Sequence, residues 1–382
     1  MKRRSTSSKR GAPARPEGTG VLLVADNLQV GGVSRVVLDL ARQLTEVQRT
    51  VAIAAGPEGG LWHLVPEGCA AHTLRSKGGI RALLHRVAQL RVLARSGAYD
   101  VIHAHQRGLA LSARIAAIGT GLPVVEHVHN VFPPRLLERH ASFRGDLLIA
   151  CGTAVAAMLV RDFGRRPAQV ITILNGIEDK HPANVRSASH PKREKVHLIG
   201  VGRLVEQKDP LRFVRVIAAL AEIMPPHSIS VTWYGDGPLR SEVQTLVGEL
   251  DLTEFICFPG NVEELAPKYA DADILLLTSR WEGLPLVALE ALAAGCAIVL
   301  PDVGSCADAY GDEPVGILYP ADIDDADLAV LLAAELKRDR LEQLSANARL
   351  RYVSSFTLDR MFASVLEVYS IARHPKSPPN GV

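Results

Sequence analysis

Between Ala272 and Leu300 the chain reads ADILLLTSRWEGLPLVALEALAAGCAIVL, an apolar strand, a turn, a helix and a second apolar strand. Ile274 to Thr278 is apolar almost throughout, as in a strand buried on both faces. The turn Ser279-Arg280-Trp281-Glu282-Gly283 breaks it. A helix starts near Pro285, where a missing N–H costs nothing. That helix turns Leu286, Leu289 and Ala293 inward and stops at Gly295, a common helix-ending residue. Cys296 to Leu300 is the second strand. Two buried strands joined through a helix require a right-handed crossover, so the segment predicts an α/β fold with a parallel sheet.

The same alternation runs through the rest of the chain. Strand-like runs recur at Val21 to Ala25, Thr50 to Ala54, Asp100 to Ala104, Val124 to Val128 and Leu147 to Ala150. Helical segments lie between them, the first from Val33 to Leu44. The stretch NGIEDKHPANVRSASHPKREK, Asn175 to Lys195, is polar, contains proline and has no periodicity, as expected of a linker. A second alternation opens at Val196. With 382 residues and 47% hydrophobic content, two cores are expected rather than one. The reading divides the chain into a basic tail (1–19), a first Rossmann-like domain (20–175), a linker (176–195), a second Rossmann-like domain (196–356) and a closing helix with a polar tail (357–382).

Charge and cysteine usage exclude several classes. A formal net charge of +2 argues against nucleic acid as a partner. The five cysteines show neither C-x-x-C pairs nor metal spacing, and read as free thiols in a reducing cytoplasm. No apolar run approaches the ~18–20 residues of a membrane span. The tail carries Lys2, Arg3, Arg4, Lys9, Arg10 and Arg15 against Glu17 alone and lacks a signal-peptide core, so it reads as a disordered tail or an anionic-lipid contact. Between Arg75 and Arg95, Ile80, Leu83, Leu84, Val87 and Leu90 form an apolar stripe with arginines elsewhere, a solvated face or an anionic-membrane docking face.

Ligands of open α/β sheets bind at the carboxyl ends of the strands. The amides of Gly283, Leu284 and Leu286 stand at a helix N-terminus, where phosphate is favoured. Glu282 suits neutral donors such as sugar hydroxyls, and Glu290 could reach a ribose. The plainer alternative makes Glu282 a helix-start acid and Glu290 solvated. Gly31 and Gly32 permit close backbone approach or a simple turn, and lack the G-x-G-x-x-G pattern. Arg203 and Lys208 leave the end of the strand HLIGVG, aimed at a diphosphate or simply at solvent. His103 and His105, then His127 and His129, share a face in pairs, but without supporting Asp, Glu or Cys ligands no metal is expected. Asp271 and Asp273 precede their strand, the wrong sheet edge for a ligand site. Asp322, Asp324, Asp325 and Asp327 read as helix-start acids.

The run SRWEGLPLVALEALAAGCAIVLPDVG resembles the signature of retaining nucleotide-sugar glycosyltransferases of glycosyltransferase family 4, which have the two-domain GT-B fold. The likeness extends from about Gly20 to Phe356. It implies that Glu282 contacts the donor sugar and Glu290 the nucleotide ribose, with Gly283, Leu284, Pro285 and Leu286 holding the donor. GGVSR resembles the family's N-terminal glycine loop, placing Gly31 and Gly32 opposite the diphosphate. EHVHN implies that His129, followed by Asn130, lies beside donor sugar and acceptor, and DVIHAH puts His105 at the site's edge. His103 and His127 are expected to be satisfied structural histidines. GRLVEQKD matches the Arg-and-Lys phosphate motif, giving that role to Arg203 and Lys208. The turn at Gly235 resembles the one near the nucleotide, and Asn261 ends the stretch that holds the base. Ser305 and Asp308 depart from the family's glycine and glutamate. The segment Thr357 to Ala372 resembles the helix that crosses back onto the first domain.

The resemblance implies two Rossmann-like domains facing across a cleft and transfer of a sugar from a nucleoside diphosphate sugar with retained configuration. UDP-sugars are favoured, with GDP-mannose the other candidate. The expected acceptor is a hydroxyl of a glycan or lipid-linked oligosaccharide in polysaccharide or lipopolysaccharide assembly. No cofactor and no metal is expected. The location would be cytoplasmic, with peripheral contact at the inner membrane face. The alternatives are a sugar-nucleotide 2-epimerase and a noncatalytic sugar-nucleotide-binding protein.

Overall fold

The computed structural model describes residues 20–75, 79–133, 142–181, 195–225 and 228–374. The basic tail, most of the linker and the last eight positions therefore lie outside the described residues.

The first lobe runs β1 (Val21–Ala25), α1 (Gly32–Glu46), β2 (Val51–Ala55), β3 (Ala70–Thr73), α2 (Gly79–Arg95), β4 (Val101–Ala104), α3 (Arg107–Ala117), β5 (Val124–Val128), β6 (Leu147–Ala150), α4 (Thr153–Arg161) and β7 (Val170–Thr172). The second runs β8 (Val196–Val201), α5 (Pro210–Ile223), β9 (Ile229–Tyr234), α6 (Arg240–Glu249), β10 (Ile256–Gly260), α7 (Ala266–Asp271), β11 (Ile274–Leu276), α8 (Leu286–Ala293), β12 (Ala297–Pro301), α9 (Cys306–Tyr310), β13 (Gly316–Tyr319), α10 (Asp325–Glu335), α11 (Arg338–Ser355) and α12 (Leu358–Arg373).

The sheet orders are β3-β2-β1-β4-β5-β6-β7 and β10-β9-β8-β11-β12-β13. All pairings within them are parallel. β1, β2, β5 and β12 are buried along their whole length, which is why all but β5, with Glu126 and His127, read as unbroken apolar runs. Both sheets reverse direction of strand addition once, between β1 and β4 and between β8 and β11. Those two switch points are where a ligand crevice forms.

The chain crosses between lobes twice, side by side. Ile177 bridges Thr357 in parallel, with Ile177 N–H donating to Phe356 O and Leu358 N–H to Ile177 O, both at 2.9 Å. After the second crossing α12 returns to the first lobe and inserts Leu358, Met361, Phe362, Val365, Val368 and Tyr369 into its core. This is the crossing helix that the resemblance implies.

One expectation about α2 needs correction. Its stripe splits: Leu90 is buried and Leu83 and Val87 are half-buried, but Ile80 and Leu84 face solvent, as does Val92. The exposed face mixes these apolar side chains with Arg81 and Arg95.

Candidate active site

The loops leaving β8 and β11 are laced together at the second lobe's switch point. Thr278 Oγ1 donates to the carbonyls of Lys208 and Asp209, at 3.1 and 2.9 Å. Arg280 N–H donates to Gln207 O at 2.8 Å, and Gln207 Nε2 returns a bond to Trp281 O at 3.0 Å. Arg280 also pairs with Asp209 at 2.9 Å, and Asp209 caps α5 by accepting from the Arg212 N–H. This lacing sets the Lys208 ammonium against the buried carboxylate of Glu282 at 2.5 Å. Glu282 is thus a paired, desolvated carboxylate, in contrast to a plain exposed helix-start acid.

Arg203 leaves the same strand end and is exposed, with no ion pair to a described residue. Gly235 follows β9 and lies over the backbone of Gly202. A Cβ there would sit 2.1 Å from Gly202 O, so only glycine allows the two loops to touch. Asn261, just past β10, is exposed.

Across the cleft the first lobe presents the N-terminus of α1. A Cβ on Gly32 would meet Leu286 Cδ1 at 3.4 Å, while Gly31 has open space around it. The N-termini of α1 and α8 therefore face each other, and both dipoles favour an anion between them. Glu290, one turn into α8, is half-buried and accepts from the Tyr269 hydroxyl at 2.9 Å. Burial pushes its carboxyl up, against that hydrogen bond and the nearby Arg35 and Lys180.

His129 and Asn130 follow β5 at the cleft's first-lobe wall, both half-buried. Asn130 turns its own chain, accepting from the Val131 N–H at 2.9 Å. His129 Nε2 lies 3.1 Å from His105 Nδ1, and desolvation lowers its pKa to about 3, so it is a neutral imidazole. His105 itself is buried and makes this contact from inside the lobe.

The expectation for the inner pair of histidines is half met. His103 Nδ1 bonds the Tyr369 hydroxyl at 2.7 Å, which ties α12 to the sheet. His103 Nε2 and both nitrogens of His127 have no partner among the described residues. The ligand atoms of His103, His105 and His127 lie within 4.8 Å of one another. The rings are near-parallel, 7° between His103 and His127 and 29° between His103 and His105. Stacked rings send their lone pairs side by side instead of toward one point, a poor cage for a tetrahedral ion.

Elsewhere the acids serve the fold. Asp273 accepts from the His197 N–H at 2.8 Å at the start of β8, the edge opposite the cleft. Asp324 caps α10 through Ala326 N–H at 2.8 Å.

How the lobes meet could not be read from the residue pattern. The Glu282 loop is clasped by the first lobe: Asn175 Nδ2 donates to Leu284 O at 3.0 Å, and a Cβ on Gly283 would fall 2.0 Å from His129 O. Ser305 and Asp308 bond the start of α4, with Thr153 N–H to Asp308 Oδ2 at 2.7 Å. Only the departure of those two positions from the family pattern marked them in advance.

Comparison with known proteins agrees with this geometry. The family model described as Glycosyltransferase Family 4 matches residues 30–181, and that described as Glycosyl transferases group 1 matches residues 183–351. The D-inositol 3-phosphate glycosyltransferase of Geodermatophilus obscurus is 27% identical over 306 residues, covering 72% of this chain and 67% of that protein. The lipopolysaccharide core biosynthesis mannosyltransferase LpsB of Rhizobium meliloti is 28% identical over 252 residues, 63% of this chain and 71% of that one. Among solved structures, a glycosyltransferase from Rickettsia africae superposes with a TM-score of 0.79 at 16% identity, covering 94% of this chain and all of that one. Anabaena HepE in complex with UDP-glucose gives 0.77 at 17%, covering 92% of this chain and all of that one. Two family models in tandem over both lobes, on two parallel sheets that face across a cleft, make this chain a glycosyltransferase of the GT-B fold, with a family 4 first lobe and a group 1 second lobe.

Proposed function

We propose that the enzyme transfers a hexose from a nucleoside diphosphate sugar, a UDP-sugar in the first instance, to a hydroxyl of a glycan or lipid-linked oligosaccharide, with retention. The observation that carries this reading is the Lys208–Glu282 pair, set at the mouth of two facing helix N-termini. A diphosphate between α1 and α8 meets the amides at Gly31, Gly32 and the first turn of α8. Arg203 and Lys208 supply the charge that develops as it leaves, so no metal is called for in the transfer step. Drawn toward phosphate, Lys208 releases part of its hold on Glu282, whose carboxylate then accepts from sugar hydroxyls. Glu290 accepts from the ribose while Tyr269 keeps it oriented.

Glu282 is engaged by Lys208, and among the described residues we assign no other carboxylate at the Gly283 turn as a nucleophile. Retention is then best served by front-face attack. The acceptor oxygen bonds the anomeric carbon as the bond to phosphate breaks, and the acceptor proton passes to the departing phosphate oxygen. His129, neutral because it is desolvated, hydrogen-bonds at the reacting centre without adding charge.

The donor class is supported by the Anabaena structure with UDP-glucose, and an assembly role by the name of the Rhizobium relative. Among the described residues no helix is long and apolar enough to cross a membrane. The exposed Ile80, Leu84 and Val92 among the α2 arginines fit peripheral contact with an anionic inner membrane face.

A turnover screen of the purified protein against UDP-, GDP- and ADP-sugars tests the donor. Release of nucleoside diphosphate should be confined to one nucleotide, and Glu282→Gln or Lys208→Ala should lower it about 10²–10³-fold. Conversion of the donor to its epimer without acceptor, or full turnover in both variants, overturns the reading.

A further inference from the structure

We propose that Asp308 and Ser305 are positioning residues, which hold the Glu282 loop in its working place by capping a helix of the opposite lobe. The Asp308 carboxylate takes both hydrogens of Thr153, the amide on Oδ2 at 2.7 Å and the hydroxyl on Oδ1 at 2.8 Å. Ser305 Oγ accepts from the Ala154 N–H at 3.2 Å. These are the first N–H groups of α4, which lack an intrahelical acceptor. The helix has no capping side chain of its own, because Gly152 stands at the cap position. A Cβ on Gly152 would fall 2.3 Å from Ser305 Oγ and 2.6 Å from Asp308 Oδ2, so that glycine is what admits the foreign cap.

Within their own lobe the same residues are welded to the site. Ser305 N–H donates to Gly283 O at 3.0 Å, and a Cβ on Gly304 would lie 1.8 Å from Glu282 O. Residues 304–308 thus form a short rigid bridge from Glu282 to α4. A carboxylate at a helix N-terminus is favoured by the dipole, and this cap is made only with the lobes together. When the lobes part, the amides of Thr153 and Ala154 lose their acceptors. The cap therefore favours the closed arrangement without touching the donor, and a shift of the first lobe is passed directly to Glu282.

The inference rests on the reading of Glu282 as the sugar-positioning carboxylate, so the test includes a readout independent of turnover. Asp308→Ala, Asp308→Asn and Thr153→Val are compared by kinetics, by UDP binding calorimetry and by small-angle scattering. Thr153 is exposed and its change leaves the core intact. Asp308→Ala should lower kcat about tenfold and enlarge the radius of gyration, with UDP affinity changed by less than about twofold. Asp308→Asn keeps one acceptor oxygen and should recover part of both losses. Adding Thr153→Val to Asp308→Ala should cost nothing further, since both act on one contact. An unchanged radius of gyration in Asp308→Ala overturns the proposal, as does a loss of UDP affinity equal to the loss of kcat. If Glu282→Gln keeps full turnover while Asp308→Ala still opens the lobes, the function reading fails and the cap stands.

Discussion

His127 carries two buried ring nitrogens with no partner among the described residues, one position away from a glutamate on the other face of the same strand. Burial lowers the pKa of His103, His105, His127 and His129, so the native protein binds fewer protons there than the unfolded chain. Their contribution to stability is complete above the unfolded value of about 6.5 and is lost as the pH falls below it, toward about 3 for His129. Glu126 acts in the opposite sense. Burial pushes it up to about 7, so its contribution is complete below about 4.5 and is lost as the pH rises through 7. The expected melting profile has its acid limb between pH 6.5 and 4. His127→Leu should flatten that limb and leave the midpoint at pH 7 level or higher, because an unpaired polar group is replaced by an apolar one. Calorimetry from pH 4 to 8 checks both. At this scale the sequence marked which histidines share faces, and the resemblance marked His129 as the one at the site. It did not show that the rings also stack across the two strands, His103 on His127 and His105 on His129, since that depends on the register of β4 against β5.

At the scale of elements, the strand–helix–strand unit was the most legible part of the chain. β11, α8 and β12 lie where the apolar runs, Pro285 and Gly295 put them. The short strands β3, β7 and β13 were not read from the sequence. β3 and β7 are edge strands with partly exposed residues, which blurs the apolar run. β13 is an edge strand of four residues opened by a glycine. The α2 stripe was misread in part because periodicity reports an apolar face, not which face meets the sheet. That outward face has a measurable consequence. Ile80→Ser with Leu84→Ser should reduce co-sedimentation with anionic vesicles severalfold and leave turnover on a water-soluble acceptor intact. Equal binding of variant and parent would remove α2 from any membrane role.

For the whole molecule, the decisive contacts are between backbones of different lobes. Gly283 rests on the carbonyl of His129, so Gly283→Ala must separate the lobes or displace the Glu282 loop. Turnover should fall about 10²-fold or more, with UDP still bound by the second lobe; a fully active Gly283→Ala enzyme would mean the lobes do not close on this contact. None of this was readable in the sequence, where the family likeness names the donor loop but not what presses on it. The return of α12 carries a different consequence, for biosynthesis. Domains emerging from the ribosome generally fold in the order they are made. Here the apolar face of the first sheet waits for Leu358, Met361, Phe362, Val365, Val368 and Tyr369, which are translated only after the entire second lobe. The nascent first lobe must therefore remain uncovered while some 180 further residues are added, at the ~5–20 residues per second of synthesis. A ribosome stalled before Leu358 should hold a first lobe that is open to proteases and chaperones, and release of the finished helix should end that exposure.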